Sequence, residues 1–272
     1  MTRMDRRALF ASGAAAALLA ATGASLADTP KAGGTLRLAV PRDDSLEQVA
    51  RGAVFDTLTE IAPDGTLRPE LATTWKTDAD ACVWTFSLRE GVQFHDGSDL
   101  TVADILPVLA EFGRAEALSA SEIRVELAAP NTSLPFQLAG TRFVITRNGS
   151  GVTPLKLANG TGSYRVERAE DDRNFLGRKL ADHYKDGTAG WANKIEIIVI
   201  PDAHVRAEAL RDGYVDIAAL PAGDQLRDKR GLRFFPNDTD LSLAVAPHVG
   251  MPRQIGKAAL DDGRIAERWW LA

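Results

Sequence analysis

The sequence predicts an α/β fold, a mixed sheet with flanking helices plus a small inserted β-rich subdomain. Two observations carry this. From Ile195 to Ile217 a near-continuous apolar strand is stopped by Pro201-Asp202, followed by a helix with Val205, Ala209 and Leu210, and closed by Gly213 before a further strand. An alternating strand at Leu36, Leu38 and Val40 precedes a long section of short strands and turns, so it must reach across that section to pair with Ile195–Ile200. On this reading residues 28–54 and 146–246 form the main lobe, 55–145 the inserted subdomain and 247–272 a C-terminal segment.

Each element has a local cause. Residues 1–27 begin basic (Arg3, Arg6, Arg7) and continue into an Ala-rich apolar run ending Ser25-Leu26-Ala27, the pattern of a secretory signal. Arg6-Arg7-Ala8-Leu9-Phe10 fits the twin-arginine type, with the general secretory route as the alternative. Pro41-Arg42-Asp43-Asp44-Ser45 is a short loop leading into a helix that holds Val49, Ala53, Val54, Leu58 and Ile61. Pro63-Asp64-Gly65 is a turn, since Pro fixes φ, Asp bonds locally and Gly accepts positive φ. Trp84, Phe86 and Leu88 alternate along a strand ending at Arg89-Glu90-Gly91, and Val92–Phe94 reads as a second short strand. Thr101 with Asp104 approximates a capping box for a helix from Thr101 to Phe112, which Pro107 should shorten or kink. Gly113–Ala117 reads as a connector, and Glu122–Leu127 and Phe143–Ile145 as strands. Tyr164 with Val166, Asn174–Leu176, Lys194–Ile200 (buried on both faces), Leu232–Phe235 and Leu241–Val245 complete the strands, and a short helix is expected at Ile255–Leu260.

The chain has 272 residues, 45% hydrophobic and 25% charged, enough for one large domain or two small ones. A formal net charge of −5 excludes the basic face that a nucleic-acid binder needs to displace counterions. Cys82 is the single cysteine, so no internal disulfide forms, and a buried inert thiol is expected. His95, His183, His204 and His248 are scattered and make no metal spacing, and no nucleophile elbow, Walker or zinc pattern occurs, so neither an enzyme nor a cofactor is expected. Gly160-Thr161-Gly162-Ser163 enters a strand and does not open a helix, which removes the phosphate-cradle reading.

Thr85-Phe86, Leu88-Arg89, Gly91-Val92, Phe94, Asp96-Gly97, Ala103 and Asp104 together resemble the signature of the family 5 solute-binding proteins of ABC transporters, the dipeptide, oligopeptide and nickel receptors. Asn159–Tyr164 resembles that family's PxGTGPY turn, with Ser163 in place of Pro, and Leu210, Gly213, Asp216 and Ile217 resemble its LxxGxxD(I/V) phrase. The resemblance covers about Gly33 to Val245 and implies a type II periplasmic binding protein-like lobe. It further implies a periplasmic component of an importer that closes two hinged lobes around a small peptide or other polar solute. The family continues into a second lobe after the position of Val245, so a single lobe with an open cleft face is expected.

Arg42, Asp43, Asp44 and Tyr164 follow strand ends and are expected to line that face. Trp269-Trp270-Leu271 either packs back on the sheet or, with the cleft face, forms a partner site. The partners expected are a peptide or polar solute and an ABC permease, with no nucleic acid. The alternative is a non-transport accessory module that binds an exported protein or a second copy of itself.

Overall fold

The computed structural model describes residues 29–151, 154–221, 232–236, 241–252 and 263–272. The signal expected at residues 1–27 with Arg6-Arg7 and the helix expected at Ile255–Leu260 lie outside the described residues.

Strand β1 (Thr35–Val40) opens the main lobe with Leu36, Leu38, Ala39 and Val40 buried. Helix α1 (Ser45–Val54) follows and buries Leu46, Val49, Ala50, Ala53 and Val54 at helical spacing. It stops at Val54, short of Leu58 and Ile61, because Phe55 turns extended (φ −121°, ψ 149°) and the N–H of Gly162 donates to the Val54 carbonyl at 2.9 Å. That carbonyl is pressed by a glycine backbone: a Cβ on Gly160 would lie 2.0 Å from it. The tertiary contact ends the helix.

The inserted section starts with the small hairpin β2 (Thr59–Ile61) and β3 (Leu67–Pro69). Strands β4 (Ala72–Thr77), β5 (Val83–Leu88), β6 (Gly113–Ala117) and β7 (Glu122–Leu127) form an antiparallel sheet in the order β4-β5-β7-β6. Trp84, Phe86 and Leu88 of β5 face helix α2 (Val102–Ala110), whose Ile105, Val108 and Leu109 complete a second core with Leu58, Leu71 and Ile123. The Asp104 carboxylate accepts from both the N–H and the hydroxyl of Thr101 at 2.8 Å, the arm of the capping box expected there. Gly113–Ala117 is an edge strand and not a connector. One side carries only the small Gly113, Ala115 and Ala117, with Ala115 against the second core, and on the other Glu116 is held by Arg124 at 3.1 Å across to β7. Val92–Phe94 makes only the isolated bridge Gln93–Asp99. Helix α3 (Leu134–Gln137) and a 3₁₀ turn at Thr141–Phe143 stand before Val144 and Ile145, which are not a strand; each enters a different core.

The chain returns through β8 (Tyr164–Glu170), β9 (Asn174–Lys179), β10 (Lys194–Val199), helix α4 (Ala203–Arg211) and β11 (Ile217–Pro221), then β12 (Arg233–Pro236) and β13 (Leu241–Val245). These and β1 make one mixed sheet, β12-β13-β11-β1-β10-β9-β8. β1 lies parallel to β10, Leu36 beside Ile195 and Leu38 beside Ile197, and parallel to β11, the pairing the sequence required. β10 is buried on one face only. Ile195 and Ile197 lie under α1, while Glu196 sits between Arg37 and Arg168, 3.9 Å from each, on the open face. α4 is capped by Asp202, whose carboxylate accepts from the N–H groups of His204 and Val205 at 2.8 and 3.0 Å.

The C-terminal segment returns to the lobe. Strands β14 (Val249–Gly250) and β15 (Trp270–Leu271) pair antiparallel, and helix α5 (Ile265–Arg268) lies against α1. The approach is close: a Cβ on Gly52 would meet the Gly263 carbonyl oxygen at 2.0 Å. Trp269 is 1% exposed inside the main core.

Candidate functional site

The sheet separates the residues expected to share a binding face. Arg42, Asp43 and Asp44 follow the carboxyl end of β1 and are all exposed; Asp43 accepts from the Ser45 N–H at 2.8 Å and turns the chain into α1. Tyr164 opens β8, which runs antiparallel to β9 and so in the direction of β10, placing it at the amino ends of β1 and β10. Six residues of strand, about 20 Å, stand between the two positions. Tyr164 is fully buried, its hydroxyl donates to the Ala192 carbonyl at 2.9 Å, and burial pushes its phenol well above the usual range. It is a core residue. Trp269 and Trp270 are also buried, at 1% and 3% exposure, and pack back on the lobe.

The chemistry that the fold does bring together lies at the amino ends of the parallel strands. Asp56 and Glu70 from the inserted section, Lys185 from the β9–β10 connection, and Arg264 and Glu267 from the C-terminal segment are all buried in one cluster. Lys185 Nζ donates to Asp56 Oδ1 at 2.6 Å, Glu70 Oε1 at 2.5 Å and Glu267 Oε1 at 3.1 Å. Arg264 grips Glu70 with both terminal nitrogens, at 2.5 and 2.9 Å, and reaches Glu267 Oε2 at 3.2 Å. Thr57 completes Glu70's shell through its N–H at 2.8 Å and its hydroxyl at 2.6 Å, and Thr161 donates to Asp56 at 3.0 Å.

Burial works against both glutamates, with different outcomes. For Glu70 the two cations outweigh it and hold the carboxyl well below the usual range. For Glu267 burial dominates over Lys185 and Arg264, and the carboxyl is raised. Of these two, Glu267 is the first to take a proton as pH falls. His183 borders the cluster: its Nε2 lies 2.8 Å from the Thr161 carbonyl and its Nδ1 3.2 Å from the Lys185 N–H, which fits the neutral ring with the proton on Nε2.

Above this cluster opens a cavity of about 840 Å³ whose wall includes Lys185 and Tyr184. Trp191, Met251 and Trp270 supply apolar surface, and Arg68, Arg89 and Arg268 supply charge. Sequence reasoning missed both cluster and cavity. The available signal was the charged residue set inside an apolar run, as in Phe55-Asp56-Thr57-Leu58 and Glu70-Leu71-Ala72, because charged side chains are buried only when paired. Among the described residues no group of His, Cys, Asp and Glu could hold a metal ion, and no helix is long and apolar enough to cross a membrane. Cys82 is half-buried.

A parallel-centred mixed sheet with an inserted antiparallel subdomain is the lobe of a type II periplasmic binding protein. The profile of the bacterial extracellular solute-binding proteins, family 5 middle, matches residues 66–109 and 108–234, and the chain belongs to that family. It is similar to a probable peptide ABC transporter periplasmic-binding protein of Sinorhizobium fredii, 26% identical over 298 residues, covering 91% of this chain and 54% of the relative. The nickel-binding periplasmic protein of Escherichia coli is 26% identical over 63% of this chain and 36% of its own length. An HTH-type transcriptional regulator, SgrR of Pectobacterium atrosepticum, is 30% identical over 55% of this chain and 28% of its own. Among solved structures, DppA of Helicobacter pylori in complex with the peptide STSA superposes with a TM-score of 0.64 at 23% identity, over 75% of this chain and 50% of that one. NikZ of Campylobacter jejuni with Ni(L-His) gives 0.63 at 18%, over 75% and 47%. The chain thus spans about half the length of the solved structures it resembles, and between about a quarter and a half of these curated relatives. The family is one of binding proteins, not enzymes.

Proposed function

We propose that this chain acts as the solute-binding component of an ABC-type importer outside the cytoplasmic membrane, and that its solute is a small peptide or a related zwitterion. The observation that carries this reading is the exposed Arg42-Asp43-Asp44 at the carboxyl end of the central parallel strand. Open α/β sheets hold ligands outside the carboxyl ends of their strands. Side chains of both signs at that position suit a solute that carries both. The names of the Sinorhizobium relative and of the Helicobacter structure support a peptide.

Titration calorimetry of the protein with a panel of di- to tetrapeptides tests the reading. A peptide that binds should lose affinity about tenfold in Arg42→Ala and in Asp44→Ala, as expected for one charge-assisted contact each. A panel without a binder, or variants that bind like the parent, would remove it.

A second reading has its own observation, since a relative sharing this segment is named a transcriptional regulator and not a receptor. The lobe then serves as a module covered by an exported partner or by a second copy. Permease and ATPase genes beside this one, and a monomer in solution, favour transport. A neighbouring exported enzyme, or a dimer, favours the module.

A further inference from the structure

We propose that the cavity at the amino ends of the parallel strands is a second binding site, independent of the Arg42–Asp44 loop, for a carboxylate carried on an aromatic ring, with Arg89 as its anion receptor. The charges around the cavity can be taken in turn. Arg268 pairs with Glu60 at 3.0 Å and Arg68 with Asp64 at 3.7 Å. Lys185 is consumed by the three carboxylates beneath. Arg89 remains, and among the described residues no carboxylate lies within ion-pairing distance of it. Its guanidinium is nonetheless held in place: Nε donates to the Glu70 carbonyl at 3.0 Å, and the plane lies over the Tyr184 ring, 4.5 Å from its centre.

A fixed guanidinium with its terminal nitrogens uncommitted is pre-organised to take a carboxylate end-on, with little conformational entropy left to lose. Tyr184 gives the cavity its ring, while its hydroxyl is buried and without a hydrogen-bond partner among the described residues. The walls set the rest of the ligand. Tyr184, Trp191 and Trp270 offer three aromatic surfaces with Met251 beside them, and about 840 Å³ accommodates a ring with a short acid arm. Glu60 and Asp64, though paired, disfavour a dianion.

Two sources supply this chemistry, a free aryl-acid and a peptide ending in Phe, and the experiment separates them. The full chain is titrated with phenylacetate, with a Gly-Gly-Phe tripeptide, and with the amide of each, following tryptophan fluorescence and calorimetry. Binding of phenylacetate and not phenylacetamide is expected, and binding of the tripeptide acid in addition would assign the site to peptide C-termini. Arg89→Gln should weaken binding about tenfold to a hundredfold and Arg89→Lys less. Ala189→Trp, which places bulk on the cavity wall, should abolish phenylacetate binding. Equal binding of acid and amide, no binding at about 1 mM acid, or full affinity in folded Ala189→Trp would overturn the proposal.

Discussion

Lys185→Met removes the ammonium on which Asp56, Glu70 and Glu267 converge while keeping most of the apolar stem. In the parent chain that ammonium makes contacts of 2.6, 2.5 and 3.1 Å in a site where the lysine side chain is 8% exposed. Arg264 still faces Glu70 and Glu267 in the variant, but Asp56 loses its only lysine or arginine partner among the described residues. Breaking one side of a buried ion pair costs about 3–5 kcal/mol, because the remaining charge stays desolvated. Arg264 still balances part of the stranded charge, so the lower end, about 3 kcal/mol, is expected at neutral pH. For a chain of this size that corresponds to roughly 10 °C in Tm. Urea unfolding followed by circular dichroism at pH 7.5 and at pH 5 measures it. The sign with pH is fixed by the groups involved. Lys185 is raised well above its ordinary 10.5 by its three carboxylates, which outweigh burial, so its stabilisation is intact at both values and is lost only as pH rises above 10.5. In the variant, protons can neutralise the stranded carboxylates, so the deficit shrinks as pH falls. A loss under about 1 kcal/mol, or a deficit equal or larger at pH 5, would refute a network built on Lys185.

Gly52→Ala drives a methyl into the Gly263 carbonyl and should lower stability by about 1–3 kcal/mol in a thermal melt; an unchanged Tm would mean the C-terminal segment does not dock on α1. Tyr164→Phe loses one buried hydroxyl contact, about 1 kcal/mol, and should leave solute affinity untouched, a result that would be contradicted if calorimetry found weaker binding. His95 is depressed below 6.5 by burial, so its contribution is present above pH 6.5 and is lost as pH falls. His95→Gln, which can still donate to the Gly162 carbonyl, should therefore show a flatter fall in Tm between pH 7 and 5 than the parent. Glu267 acts in the opposite sense, losing stability as pH rises from 4.5, but it is common to both proteins and cancels in the difference.

The periodicities that survive in this sequence are those of elements with one buried face. β5, β7 and α2 each carry apolar residues at the spacing their geometry needs, and the Thr101–Asp104 and Asp202 caps name their helix starts by chemistry that acts within three residues. What could not be read depends on partners far along the chain. α1 ends where Gly162 takes its last carbonyl, more than a hundred residues away. β6 has only a stripe of small residues, Gly113, Ala115 and Ala117, too weak to announce a strand, and it forms because β7 pairs with it. β10 carries Ile195, Ile197, Ile198 and Val199, yet Glu196 marks one face as polar, a sign that outranks the hydrophobic run. The buried cluster was invisible for the same reason: Asp56, Glu70, Lys185 and Arg264 are each unremarkable locally and acquire meaning only at separations such as the 194 residues between Glu70 and Arg264.

Tyr184 joins the two chemical features of the amino end. Lys185 Nζ lies 5.6 Å from the centre of its ring and Arg89 4.5 Å, so one aromatic side chain borders both the ion cluster and the cavity. The cations differ in what surrounds them. Lys185, from the main lobe, is enclosed by two carboxylates of the inserted section and one of the C-terminal segment, and its charge holds these three parts in one arrangement. Among the described residues Arg89 binds a carbonyl and a ring, neither of which neutralises it. A purely apolar junction between those three segments would bury them as well but would leave the wall of the cavity without a fixed electrostatic character. With Glu70 gripped by Arg264 and its carbonyl oriented toward Arg89, the same residue that anchors the cluster sets the direction of the guanidinium above it. Loosening the cluster, as in Lys185→Met, should therefore disturb the position of Arg89 and Tyr184 together, and the stability of the lobe and the shape of its cavity should change in the same variants.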